Sequence, residues 1–552
     1  MKKTRRFAAF VASVLAVACM AAPMATSFSA DAASITISND ATTKHKYDVY
    51  QIFTGTLADG KLGDLVWGAS VTEYNGAEVT TGTSVPDAVV DALTAFSATE
   101  NNDKAVANWV AKNLTLKTEA VAEATDGTKC ELSSDGYYLL KDKTVVAGAD
   151  EARSTWILQV VDDVTPTIKN AKPKVDKLVK DEVGDMDTNT DNTATDDEKA
   201  AGWAKSADHS IGESFQFKLK ATIPADPDLI DYETYKLVFN DTLMEGVTFE
   251  SIASLTINDG SNLWENHGTD ISTTAANGDT NKVFTFTIND VKKYVSSGWG
   301  TSEILVEVVY NAHLNGNADI ADAANDTTTK NVNKVYLEYS NNPNYSASGD
   351  TDKDGTDDNT GEKESLGKTS ELAVDVYTYL ANGLKVKGDD EGNPTTTPLE
   401  GVKFKLYTAE TGGDLINVVQ VSGSTYRLAT ADDTTVAENI VTDADGKFVI
   451  QGLDHGTYWL EETATLAGYN KLTKRQEVTL AATHTFSKVE TLTYSGAVGT
   501  GENANTYVIV NNEGATLPST GGMGTTLFYV GGGALALGAG VLLVTKKRMA
   551  NK

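Results

Sequence analysis

One run in this chain has the residue types and spacing of a cation loop. Asp350-Thr351-Asp352-Lys353-Asp354-Gly355 places side-chain oxygens at alternate positions and glycine at the sixth. Continuing that register puts Gly361 where a bidentate glutamate closes a calcium loop, and the flanks do not read as two helices. A solvated acidic linker is therefore the better reading. Calcium in the 350–362 loop is the one cofactor considered, and no metal-ligand set is assigned. The chain has six histidines and two cysteines, and no HExxH, paired CxxC or GxSxG motif. An enzyme is disfavoured on that ground, and dispersed lysines and carboxylates remain as the reactive groups.

The two ends say where these residues work. Lys2, Lys3, Arg5 and Arg6 precede an apolar run from Phe7 to about Ala22, and Ala30-Asp31-Ala32 offers a small-residue cleavage site, so residues 1–32 read as a secretory signal peptide. At the other end, Leu527 to Val544 is eighteen residues without a charge, about 27 Å of helix, enough to span a hydrocarbon core. Lys546-Lys547-Arg548 follows it and would stay on the cytoplasmic side.

The whole chain carries 46 basic and 77 acidic residues; the part between the signal peptide and Thr520 keeps 38 and 76 of them. Such acidity favours solubility and argues against nucleic acid as a partner. Only Cys130 lies in that mature part, so an exported chain has made no use of intrachain disulfides. Its durability calls for another explanation.

Most segments alternate in the strand manner, as in Ser214-Phe215-Gln216-Phe217-Lys218-Leu219-Lys220 and Val402-Lys403-Phe404-Lys405-Leu406-Tyr407. Helical periodicity is confined to short runs near residues 88–96 and 104–110. The expected class is mainly β: three immunoglobulin-like β-sandwich domains in series, between a signal peptide and a C-terminal transmembrane segment. Acidic, turn-rich stretches at 181–199 and 341–367 punctuate the chain. The first reads as an insertion near the start of the middle domain, the second as the link between the middle and last domains. The expected domains are 33–170, 171–366 and 367–516, followed by a sorting segment at 517–552.

That sorting segment opens with Leu517-Pro518-Ser519-Thr520-Gly521 ahead of the apolar run and basic tail. It resembles the sorting signal of Gram-positive sortase substrates. The resemblance implies cleavage between Thr520 and Gly521 and transfer of the Thr520 acyl group to an amine. Tyr458-Trp459-Leu460-Glu461-Glu462-Thr463-Ala464-Thr465-Leu466-Ala467-Gly468-Tyr469 resembles the YxLxETxAPxGY box of Cna B-type repeats and pilins, with Ala467 where proline is usual.

In that family a strand lysine condenses with an asparagine of the last strand while the box glutamate assists. A lysine amine is nucleophilic only when neutral, which burial favours, and a buried carboxyl can stay protonated and polarise the carboxamide. The resemblance implies Glu462 as the acid and Asn511 as the electrophile. Lys385 is favoured as nucleophile, with Lys387 as alternative; the two share a strand face, so alternation does not separate them.

Three further runs, Val175-Asp176-Lys177-Leu178-Val179, Phe239-Asn240-Asp241-Thr242-Leu243 and Asn333-Lys334-Val335-Tyr336, are similar in order to the second domain of isopeptide-forming fimbrial proteins. They imply Lys177, Asp241 and Asn333 in the same roles, with Asn331 as a substitute for Asn333. The first domain resembles the N-terminal domain of fimbrial shaft proteins. Lys141 stands there at the glutamate position, so no such bond is expected in it.

A polymerising subunit also needs an amine to receive the acyl group of its neighbour. Trp156 to Asn170 resembles, in Val164, Lys169 and Asn170, the WxxxVxVYPKN motif that supplies it, so Lys169 is the candidate, with Lys172 and Lys174 as rivals. The resemblance as a whole is to a sortase-assembled major (shaft) pilin of the Gram-positive cell wall. The partners it implies are a class C pilin sortase, a housekeeping sortase, other copies of the chain, accessory pilins, peptidoglycan and a host surface ligand. The alternative is a singly anchored adhesin or accessory pilin whose first domain binds a host ligand.

Overall fold

Alternation of buried and more exposed residues is clearest in strands such as Val283–Ile288, Ile304–Leu314 and Thr506–Asn511. In the strand Ile304–Leu314, the side chains of Ile304, Val306, Val308, Tyr310, Ala312 and Leu314 all turn inward while their neighbours face out. The computed structural model describes residues 33–549, apart from 39–43, 97–105, 145–154, 167–171, 183–192, 323–329, 359–362, 515–523 and isolated positions between them. The signal peptide, Lys169 and the Leu517-Pro518-Ser519-Thr520-Gly521 run lie outside the described residues.

The first domain is built on a sheet in the order Thr155–Val160, Gly136–Asp142, Lys46–Ala58, Lys61–Trp67, with Ala122–Thr125 also paired to Lys46–Ala58. Its helix, Asp87–Phe96, follows the predicted run and buries Val89 and Leu93 on one face.

The middle domain is a two-sheet sandwich. One sheet runs Trp203–Ala204, Lys174–Lys180, Ser214–Ile223, Ile304–Leu314, Val247–Ile257. The other runs Ser206–Asp208, Leu372–Tyr377, Asn333–Ser340, Leu237–Leu243, Val283–Ile288, Ile271–Thr273. Their inner faces supply a core that includes Phe217, Leu219, Phe239, Phe286, Val308 and Leu337, each sealed from solvent. The period of two that buries Val175 and Val179 also buries Lys177 between them, and the one that buries Phe239 and Leu243 buries Asp241.

The boundary expected at 366/367 moves. Leu366 lies opposite Ser340, and Leu372–Val374 runs beside Asn333–Val335. The acidic stretch after Ser340 is therefore a loop that leaves one sheet and returns to it, and the middle domain continues to Tyr377. A polar, turn-rich run looks the same in composition whether it links domains or strands.

The last domain begins with Tyr379–Gly388. This strand pairs antiparallel with Lys447–Leu453 and in parallel with Thr506–Asn511, so the first and last strands of the domain are neighbours. The facing sheet contains Lys403–Tyr407, Gly456–Ala464, Gln476–Thr485 and Lys488–Gly496. Beyond it a helix, Gly524–Met549, carries the apolar stretch Phe528–Lys547, long and apolar enough to cross a membrane.

Gly383 lets the ring of Phe448, its cross-strand partner in the same sheet, lie over the backbone. A Cβ there would fall 2.1 Å from Cζ of Phe448, inside the ring. Gly383→Ala should therefore destabilise the last domain by about 1–3 kcal/mol through overpacking. Differential scanning calorimetry should show its transition lowered with that of the first domain unmoved.

Candidate cross-link sites

Two clusters of lysine, acid and asparagine sit in the cores of the middle and last domains. In the last domain, Lys385, Glu462 and Asn511 are all buried. Lys385 and Asn511 come from the adjacent parallel strands, where Lys385 lies opposite Ile509 and Asn511 is one same-face step further on. Glu462 arrives from the facing sheet, opposite Phe404. Lys385 Nζ donates to Asn511 Oδ1 at 2.6 Å and to Glu462 Oε2 at 3.2 Å. Asn511 Nδ2 donates to Glu462 Oε1 at 2.6 Å and to Thr465 Oγ1 at 2.5 Å. One carboxyl group thus touches both the amine and the amide nitrogen. Burial lowers the Lys385 amine to about 8, against the opposing attraction of Glu462.

Lys387 shares the strand face but not the environment. It stands where the strand leaves the core, its side chain is 32% exposed, and its amine pairs with Glu513 at 2.7 Å. Geometry thus separates two lysines that alternation left equivalent.

In the middle domain, Lys177 lies on one sheet, and Asp241 and Asn333 on neighbouring strands of the other, where Leu243 is opposite Asn333. All three are fully buried. Lys177 Nζ donates to Asp241 Oδ2 and, at 3.2 Å, to the hydroxyl of Tyr310. Tyr310 in turn donates to Asp241 Oδ1 at 3.2 Å and accepts from Asn333 Nδ2. Burial lowers the Lys177 amine to about 8 and raises the Asp241 carboxyl, each against the attraction of the other. Both shifts favour the uncharged pair. Aromatic rings complete the apolar shell, with Phe217 and Tyr310 centred 5.3 and 5.4 Å from the amine.

Tyr310 is the member that sequence reasoning missed. Its inward phase in an alternating strand is legible, but its hydroxyl meets Lys177, Asp241 and Asn333 only through the fold. The alternative Asn331 is occupied otherwise: its amide bridges the backbone of Asp319 and Val376.

In the first domain, the residue after Lys141 is the inward-facing Asp142, which lies 2.5 Å from His45 Nδ1. Lys172 and Lys174 are described, Lys174 as the exposed first residue of the strand that carries Lys177. In the acidic loop, Asp350 Oδ2 accepts from the hydroxyl of Tyr345 at 2.8 Å and from the Gly355 amide at 2.9 Å, so this carboxylate closes a turn. Asp354 and Gly361 lie outside the described residues.

The lowered lysine pKa has a consequence once the asparagine is removed. In Asn511→Ala the amine persists, titrating near 8 in the folded chain and near 10.4 in the unfolded one. Between those values the unfolded state holds a proton that the native state lacks, so stability rises with pH. Thermal denaturation of Asn511→Ala should show the last domain gaining stability from about pH 8 to about pH 10. The double variant Lys385→Met/Asn511→Ala should lose that slope.

Two family models match the chain: the SpaA prealbumin-like fold domain over residues 384–493 and the LPXTG cell wall anchor motif over 509–551. The first takes in Lys385 and Glu462, the second Asn511 and the Leu517–Gly521 run. No curated protein matches. Among solved structures, the T6 backbone pilin of serotype M6 Streptococcus pyogenes is 15% identical with a TM-score of 0.44, covering 89% of this chain and 100% of that one. The full-length RrgB pilus protein of Streptococcus pneumoniae is 16% identical at 0.41, covering 89% and 99%. The major pilin SpaD of Corynebacterium diphtheriae is 16% identical at 0.39, covering 88% and 98%. The chain therefore carries an LPXTG cell wall anchor motif at its C-terminal end, and most of its last domain matches the SpaA prealbumin-like fold.

Proposed function

We propose that this chain is the shaft subunit of a sortase-assembled, wall-anchored pilus used in adhesion and colonisation, and that two autocatalytic isopeptide bonds stiffen it. The observation that carries this reading is the convergence of a buried lysine, a buried acid and a buried asparagine in each of two successive domains. Lysine amines with pKa values brought down to about 8 by burial are poised to act as nucleophiles near neutral pH.

In the last domain the neutral Lys385 Nζ attacks Cγ of Asn511. The C–Nδ2 bond breaks, ammonia leaves, and an amide joins the two side chains. The Glu462 carboxyl relays the proton, because its two oxygens face Nζ and Nδ2 respectively. In the middle domain Lys177 attacks Asn333, Asp241 takes the part of Glu462, and the Tyr310 hydroxyl bridges the amine, the acid and the amide nitrogen. Each amide restricts the unfolded chain as a disulfide would, worth about 2–4 kcal/mol by that analogy, and cannot be reduced.

Between subunits, the reading assigns Thr520 as the acyl donor and Lys169 of the next copy as the acceptor. A class C pilin sortase would join them, and a housekeeping sortase would transfer the finished fibre to peptidoglycan. Accessory pilins and a host ligand complete the expected partners.

Intact mass spectrometry tests the bonds. Each ammonia lost removes about 17 Da, so the mature chain should lie two such steps below its sequence mass. Glu462→Ala should restore one step only, and Lys387→Ala none; a full sequence mass for the wild type would reject the cross-links. Polymerisation is tested in wall extracts, where SDS-resistant ladders should disappear in Lys169→Ala. A single anchored band from the wild type would instead mark a monomeric surface protein.

A further inference from the structure

The middle and last domains meet across a set of buried ionisable groups that the cross-links do not use. Asp181 follows the strand that carries Lys177, and Asp208 ends the strand Ser206–Asp208, which pairs in parallel with Leu372–Tyr377. His484 comes from Gln476–Thr485 of the last domain. The side chains of Asp181, Asp208 and His484 are no more than 1% exposed. His484 Nε2 lies 3.4 Å from Asp181 Oδ2 and 3.4 Å from Asp208 Oδ1, and all three atoms fall within 4.8 Å of one another.

Two of these atoms, His484 Nε2 and Asp181 Oδ2, are buried without a hydrogen-bond partner although they lie 3.4 Å apart. The opposite ring nitrogen, Nδ1, is 2.8 Å from Ser206 Oγ. A proton on Nδ1 donated to that oxygen leaves the Nε2 lone pair facing the two carboxylates. Such an arrangement is repulsive on its own and is the usual preparation of a histidine for a metal, with the second nitrogen held by an outer partner. Tyr377, its ring 5.4 Å from the imidazole, backs the site. His455 borders it, with Nδ1 3.3 Å from the same Asp208 oxygen.

We propose that Asp181, Asp208 and His484 bind a divalent transition-metal cation of the zinc type, which clamps the middle domain to the last. The donor set of two carboxylates and one imidazole suits that class. For metal–ligand distances of about 2.0–2.1 Å, tetrahedral ligand atoms lie roughly 3.3–3.4 Å apart, the spacing already present between the imidazole nitrogen and each carboxylate. The remaining coordination position falls to water or to His455. Because two ligands belong to one domain and the third to the other, the cation would couple domain docking to metal concentration.

The test uses the mature chain, stripped with EDTA and titrated with zinc chloride by calorimetry, with stoichiometry read by elemental mass spectrometry. One zinc per chain is expected, with affinity lowered at least tenfold in His484→Ala and in Asp181→Asn. Ser206→Ala, which keeps all three ligands and disturbs little packing, should weaken zinc several-fold, so the idea stays testable if a ligand variant misfolds. Absence of zinc binding by the wild type would overturn the proposal and leave a proton on His484 as the occupant. Equal binding by wild type and Ser206→Ala, or by wild type and a folded His484→Ala, would overturn it as well.

Discussion

Burying a lysine amine in an apolar core is the constraint on which the rest depends. An isolated ammonium there is costly, and the chain meets that cost twice by placing one carboxyl against the amine and aromatic rings around it, with a carboxamide on the amine in the last domain and the Tyr310 hydroxyl on it in the middle one. The same desolvation that penalises the charge brings the amine toward neutrality. In the proposed reaction, conversion to an amide then removes the ionisable group altogether. The cluster is thus a poor structural element while it remains an ion pair and a good one once it has reacted. That asymmetry is why a buried lysine is tolerable in two domains otherwise filled with Val, Leu, Ile and Phe.

The two clusters reach this end through different topologies. In the last domain the lysine and asparagine strands are parallel neighbours in one sheet, and the acid comes from across the core. In the middle domain the lysine lies on one sheet, and the acid and asparagine lie on the other. A bond there would join the two sheets, whereas a bond in the last domain would join the first strand to the last within a sheet. Tyr310 belongs to the cross-sheet version: its strand lies on the lysine side, and its hydroxyl reaches over to both groups opposite.

Much of this was legible in the sequence, because a strand has a period of two and a lysine between two inward valines must itself point inward. Resemblance in motif order named Lys177, Asp241, Asn333, Glu462 and Asn511, and alternation is the physical reason each of them turns inward. What was not legible depends on where a strand leaves the core or on what a distant segment brings. Lys385 and Lys387 share a face, and only the rim of the sandwich separates them. Tyr310 looks like any core aromatic until three polar groups meet its hydroxyl. The return of Leu366 to the middle sheet is hidden because an acidic loop and an acidic linker share a composition. Asp181, Asp208 and His484 carry no local spacing at all, since they come from segments that are far apart in the chain.

In the proposed bonded state, tension entering before Lys174 and leaving after Asn511 would bypass most of both domains. It would cross from Lys177 to Asn333 in one and from Lys385 to Asn511 in the other. The segment from Asn333 to Lys385 would be the part of the path left without a covalent shortcut. It contains the acidic loop and the strand Leu372–Tyr377, which is held on one side by Asn333–Val335 and on the other by Ser206–Asp208. Load would therefore fall on hydrogen bonds at the place where the two domains meet. Several contacts brace that place. Tyr377 donates to the Thr485 carbonyl at 3.0 Å, Ile211 donates its amide to Gly452 at 2.9 Å, and the side chain of Ile211 packs where a Cβ on Gly452 would otherwise stand. Asp208 and His484 lie in the same layer, so a cation there would reinforce the one stretch that the two cross-links leave to weaker forces.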